Sequence, residues 1–113
     1  MTAVPVPYDR VEALKNLEDS EDLLREIAGI FIADYRDDLD AMRIALEIGD
    51  ATTLFRLAHT LKSSLASFCA QKAFDAASVL VKQARAGELD ADQLTVVETL
   101  TEEVVAALRA EIA

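Results

Sequence analysis

Leu24, Ile27, Phe31, Tyr35, Leu39, Met42 and Leu46 recur every three or four residues. That spacing predicts one long amphipathic helix from Glu21 to about residue 48, with charged residues filling most of its opposite side. Leu23 and Ile30 fall off this stripe and widen the apolar surface near its start. Gly49 fits a left-handed stop and Asp50 the cap of the next helix. Leu54, Ala58, Leu61, Leu65 and Phe68 then mark a second amphipathic helix over about 51–68. Cys69-Ala70 reads as a tight reversal, although neither residue is a glycine or proline; a helix continuing across the junction is the alternative. A third helix, about 71–86, places Ala73, Ala77, Leu80 and Ala84 at helical spacing and ends at Gly87. Asp90 with Gln93 has the form of a capping box for a last helix that buries Leu94, Val97, Val104, Leu108 and Ile112.

Upstream, Pro5 and Pro7 make residues 1–8 an extended lead-in. Asp9 with Glu12 suggests a cap for a short helix over 10–17 that buries Val11, Leu14 and Leu17, and Ser20 caps the long one. No strand-like alternation, internal repeat or low-complexity segment stands out. The expected fold is all-α: an antiparallel four-helix bundle with a short extra N-terminal helix, forming one domain over residues 9–113.

Composition narrows the function classes. The 113 residues carry 21 acidic and 11 basic side chains, a net charge of −10. Such a chain is repelled by nucleic acid and by anionic membranes. No apolar run reaches membrane-spanning length, and residues 1–8 lack the basic start and apolar run of a secretion signal. The single cysteine excludes an internal disulfide, so a reducing, cytoplasmic setting is expected.

The only histidine, His59, lies about 140° from the centre of the apolar face of its helix, at about 100° per residue. The one imidazole should therefore point at water. A di-iron bundle site needs inward Glu-x-x-His pairs; the residue three before His59 is Arg56, and there is no second histidine. Zinc fares no better with one Cys and one His. No Gly-x-Ser-x-Gly turn supports a serine hydrolase, and no glycine-rich loop supports nucleotide binding. Asp34, Asp37, Asp38 and Asp40 lack the spacing of a calcium loop and read as a solvated face. No metal or cofactor held by this chain is expected.

Phosphoryl acceptance remains. A free imidazole titrates near about pH 6.5 and is substantially neutral at cytoplasmic pH, so a ring nitrogen can attack phosphorus. Thr52, Phe55, Arg56, Lys62, Ser63 and Ala66 surround His59 on the polar face. Ser63 and Ala66 are small enough to admit a docking protein. Lys62 and Arg56 can offset the charge of a transferring group. Phe55 looks like an anchor for a partner. Each residue also has an ordinary reading: a surface histidine, solvated cations, or a phenylalanine tucked under the short first helix.

Ala58-His59-Thr60-Leu61-Lys62-Ser63-Ser64 resembles the signature A-H-x-L-K-G-S of histidine-containing phosphotransfer (HPt) domains. Phe31, Ala45-Leu46 and Gly49-Asp50 also fall where such domains commonly have them, so the resemblance covers roughly residues 20–87. It implies a carrier without ATP-dependent kinase activity of its own. His59 would take a phosphoryl group from a response-regulator receiver aspartate and pass it to another receiver. Lys62 would support the charge, and Mg²⁺ would belong to the receiver. Partners would be receiver domains or a hybrid histidine kinase, and the chain would act as a monomer. The usual glycine after that lysine is Ser63 here, a tighter fit beside the imidazole whose hydroxyl can reach a phosphoryl oxygen. Another usual glycine is Cys69, which bears on the turn. The expected docking surface is Leu23, Ile27 and Ile30 with Phe55 and Ala66; core packing is the competing role for the aliphatics. The alternative function is a non-catalytic receiver- or kinase-binding adaptor of the same fold.

Overall fold

The computed structural model describes residues 6–113. Of the lead-in, residues 1–5 lie outside the described residues. Five helices follow: α1 (Arg10–Asn16), α2 (Glu21–Glu47), α3 (Ala51–Ser67), α4 (Gln71–Arg85) and α5 (Ala91–Ile112). The helices α2 to α5 form an antiparallel bundle in which each packs on its neighbour in sequence and α2 closes on α5; α1 lies against α2.

Local chemistry sets the helix ends. The side chains of Asp9, Ser20, Asp50 and Asp90 each accept the backbone N–H three residues on, which satisfies a donor the helix leaves open. Two expected capping boxes are only half formed. Glu12 pairs with Lys15 instead of reaching back, and the Asp9 N–H donates to the Cys69 carbonyl (3.1 Å). The Gln93 amide donates to the Ala76 carbonyl (2.9 Å) on α4. In both cases a tertiary bond takes the place of the local one.

The reversal at Cys69-Ala70 is present. Cys69 adopts φ 53°, a left-handed backbone usually left to glycine, and the Ala70 N–H closes onto the Leu65 carbonyl (3.1 Å). The expected α3 face, Leu54, Ala58, Leu61, Leu65 and Phe68, is buried throughout. It meets Leu24, Phe31, Leu39 and Met42 of α2, with Leu80 of α4 and Leu94, Val97, Val104 and Leu108 of α5 in the same core. The buried face of α4 is mostly alanine: Ala73, Ala76, Ala77 and Ala84. Small side chains let helices approach closely, and the α3–α4 contact is the most extensive in the bundle.

Three residues are placed differently from expectation, two of them expected in the core and one outside it. Val11 is 67% exposed, because α1 turns Ala13 toward the bundle, with Leu14 and Leu17 half-buried against the core and Val11 on the outer side. Ile112 is 44% exposed, because the last turn of α5 turns Glu111 toward α1. Tyr8, read as part of the lead-in, is buried: its ring meets Phe68 edge-on at 6.5 Å and its hydroxyl donates to Glu111 (2.7 Å). Arg10 also donates to Glu111 (2.6 Å) and to Glu21 (2.6 Å), tying α1 to both α2 and α5.

Phe68 joins the bundle core to the Tyr8 segment, with Phe31 at 5.4 Å on its other side. Phe68→Ala should lower the unfolding free energy by about 3–5 kcal/mol in urea titration. The Arg10 hydrogen bond holds the Glu111 carboxyl below its ordinary value of 4.5. The stability this contributes is fully present above pH 4.5 and is lost as pH falls through the lower folded-state value. Glu111→Gln should flatten that acid limb of the stability–pH profile, as measured by thermal unfolding at a series of pH values.

Candidate functional site

The buried face of α3 holds His59 on the opposite, exposed side of the helix. Turning by about 100° per residue, the neighbours of His59 divide into two flanks. Phe55, Lys62 and Ala66 fall on one, and Arg56, Thr60, Ser63 and Ser67 on the other. The first flank faces α4: Lys62 Nζ lies over the Phe74 ring (5.4 Å), and the Arg85 guanidinium lies over Phe55 (5.2 Å). The second flank faces α2: Thr60, Ser64 and Ser67 line a groove of about 290 Å³ with Ile27, Ile30, Phe31 and Phe68. His59 stands on the crest between them, its ring centre 6.0 Å from that of Phe55.

Hydroxyls along this face bond back into the helix. Ser63 Oγ donates to the His59 carbonyl (3.1 Å), Thr60 to that of Arg56 (3.1 Å) and Ser67 to that of Ser63 (3.3 Å). This internal bonding keeps the side chains folded against α3. Ser63 therefore leaves clearance beside the imidazole, while its hydroxyl is engaged with the backbone.

The charge arrangement on this face differs from that of the chain as a whole. Arg10, Lys15, Arg25, Arg36 and Arg43, on α1 and α2, are all in ion pairs. Among the described residues, Arg56, Lys62 and Arg85 are in none, and neither are Lys72, Lys82 and Arg109 elsewhere on α4 and α5. Lys62 and Arg85 thus stand on the α4 flank of the imidazole with no ion-pair partner, while Arg56 on the other flank acts through its charge on the Asp50 carboxylate, a setting that still offers free cations to an incoming anion. The far wall of the α2 groove is acidic, with Asp34 and Asp38. Partial burial, with the charges of Asp34 and Asp37, pushes the Asp38 carboxyl upward. Among the described residues no grouping of His, Cys, Asp and Glu can hold a metal ion. No helix among them is long and apolar enough to cross a membrane.

The five expected docking residues do not make one patch. Ile27 and Ile30 line the α2 groove; Ile30 is 58% exposed and Ile27 half-buried against the core. Ala66 lies across the crest in a shallow hollow with Cys69, Ala70, Gln71 and Phe74. Leu23 is exposed on α2 but lies outside the groove lining. Phe55 is half-buried against the core under Arg85, not under α1, which caps the other end of α3. Arg85 and Phe74 were not singled out from the sequence, since only the α3–α4 register brings them beside His59.

Ser63→Ala should leave stability within about 0.5 kcal/mol. It should also leave the rate of His59 carbethoxylation by diethyl pyrocarbonate unchanged. A faster reaction would mean that the Ser63 hydroxyl restricts access to the ring.

Comparisons with known proteins bear on the family and the fold. The Hpt domain family model matches residues 26–111, which extends the resemblance through α5. The fold is similar to that of histidine-containing phosphotransfer protein B from Pseudomonas aeruginosa PAO1, with a TM-score of 0.85. That match has 24% identity and covers 97% of this chain and 96% of the other. No curated protein matches the sequence. With the family model spanning most of the bundle, this chain belongs to the Hpt domain family.

Proposed function

We propose that the chain is a phosphoryl carrier in a two-component phosphorelay, with His59 as the residue that is charged. The observation that carries this reading is the lone, exposed imidazole on the crest of α3, with Lys62 and Arg85 on its α4 flank and neither of them in an ion pair. A ring nitrogen attacks the phosphorus of a receiver aspartyl phosphate. A P–N bond forms, the P–O bond to the aspartate breaks, and its electron pair stays on the carboxylate. Delivery to a second receiver reverses these steps. Transfer of this kind is largely positioning and charge stabilisation.

Lys62 approaches from the α4 flank and Arg56 from the α2 flank, and both reduce the repulsion between the phosphoryl group and an acidic carrier. Ser63 and Ala66 keep the crest low enough for the donor to close on the ring. Mg²⁺ is the receiver's contribution. Ile27, Ile30 and Leu23 on one side, with Phe55 and Ala66 on the other, offer apolar contact to receiver domains or to a hybrid kinase. The chain acts as a monomer in the cytoplasm and carries no kinase activity of its own.

His59→Gln tests this against the adaptor alternative. In a relay reconstituted from donor receiver, this protein and acceptor receiver, the variant should abolish phosphoryl passage while retaining receiver binding in a pull-down. Undiminished passage through the variant would leave only the adaptor role.

A further inference from the structure

The α4 flank of His59 carries two cations, each seated on an aromatic ring. Lys62 Nζ lies 5.4 Å above Phe74, and the Arg85 guanidinium lies 5.2 Å above Phe55. Phe55 lies one turn before His59 and Phe74 meets Lys62 one turn after it, and the Phe55 ring neighbours both Arg85 and His59 (6.0 Å between the Phe55 and His59 ring centres). Arg85 belongs to the last turn of α4, where a cation complements the helix dipole. That role requires only its charge; it does not require the side chain to fold over Phe55.

We propose that Arg85 is a second phosphoryl-contacting cation, and that Phe55 and Phe74 are the resting places that Arg85 and Lys62 leave when His59 is charged. The inference rests on His59 being the carrier. An exposed cation–π contact is a weak interaction, whereas a charge-assisted hydrogen bond to a phosphoryl oxygen is considerably stronger and, for a guanidinium, can be bidentate. Neither cation is in an ion pair, so no carboxylate competes for it once the phosphoryl group arrives. Lys62 and Arg85 reach the same side of the imidazole from opposite ends of the seam, so together they can clasp the group. Leaving the rings would uncover Phe55 and Phe74, giving the charged protein a more apolar α4 flank than the uncharged one. Phe55 and Phe74 are in this sense positioning residues: they hold two long side chains beside the crest without blocking the nitrogen.

The test uses the full chain charged by phosphoramidate. The donor P–N bond breaks, the phosphoryl group passes to an imidazole nitrogen, and ammonia leaves with the proton. The Arg85 Nε–H and Phe74 ring signals are followed by NMR before and after charging. Both should move: the guanidinium leaves the ring-current field of Phe55, and the Phe74 ring loses its cation. Arg85→Gln should slow charging of His59 by roughly twofold to fivefold, the range expected for an exposed charge contact. Arg85→Lys should recover most of the rate, and the loss in Arg85→Gln should come without a matching fall in thermal stability, which a role confined to the helix dipole would show instead. Normal charging with an unmoved Arg85 signal, or with an unchanged rate in Arg85→Gln, overturns the role of Arg85 and leaves the carrier reading intact. An unmoved Phe74 signal overturns the release of Lys62. Failure of His59 to be charged by either phosphoramidate or a phosphorylated receiver overturns the carrier reading itself and this inference with it.

Discussion

Five side chains on one face of α3, Leu54, Ala58, Leu61, Leu65 and Phe68, are withdrawn almost wholly from water, and this burial determines the rotation of α3 about its own axis. Turning the helix far enough to bring His59 inward would expose several of these side chains, each worth roughly 1.5–3 kcal/mol when fully buried. The orientation of the imidazole therefore follows from the hydrophobic core and needs no dedicated hydrogen bond. The alanine-rich face of α4 adds a second constraint: it brings that helix close enough for Phe74 and Arg85 to stand beside the α3 crest. The core and the candidate site are thus two sides of the same helix.

Much of this is legible along the chain, because it depends on periodicity and on caps. The α3 stripe, the stop at Gly49, the caps at Ser20, Asp50 and Asp90, and the outward direction of His59 all follow from the spacing of residues within one helix. Features that depend on contacts between helices are harder to read. Tyr8 looked like lead-in because the two prolines end any periodicity there, yet its hydroxyl finds Glu111 at the far end of the chain. The capping boxes at Asp9 and Gln93 give way to bonds from other elements. The reversal at Cys69 has no glycine to announce it, but its left-handed backbone forms nonetheless.

The candidate site divides in the same way. Which residues share the crest with His59 can be counted from the helical angle. Which helix covers each flank cannot, and so the sequence alone does not separate Phe55 and Ala66 from Ile27 and Ile30, which lie across the crest. Counting outward from Cys69 in antiparallel register pairs Lys62 with residue 76 and Phe55 with residue 83. The observed partners, Phe74 and Arg85, each lie two residues away from those positions. An offset of that size is enough to change which side chain meets the ring. Charge shows a similar contrast: a net charge of −10 describes the chain, while the α4 flank of His59 carries Lys62 and Arg85 without an ion-pair partner.

The central claim is that His59 carries the phosphoryl group. The most direct measurement is to incubate the protein with a phosphorylated receiver, in the absence of ATP and kinase, and to locate the transferred phosphate. The account predicts a single phosphate, labile to acid and stable to base, on the imidazole of His59. Phosphate on any other residue, or none across a panel of phosphorylated receivers, would contradict it.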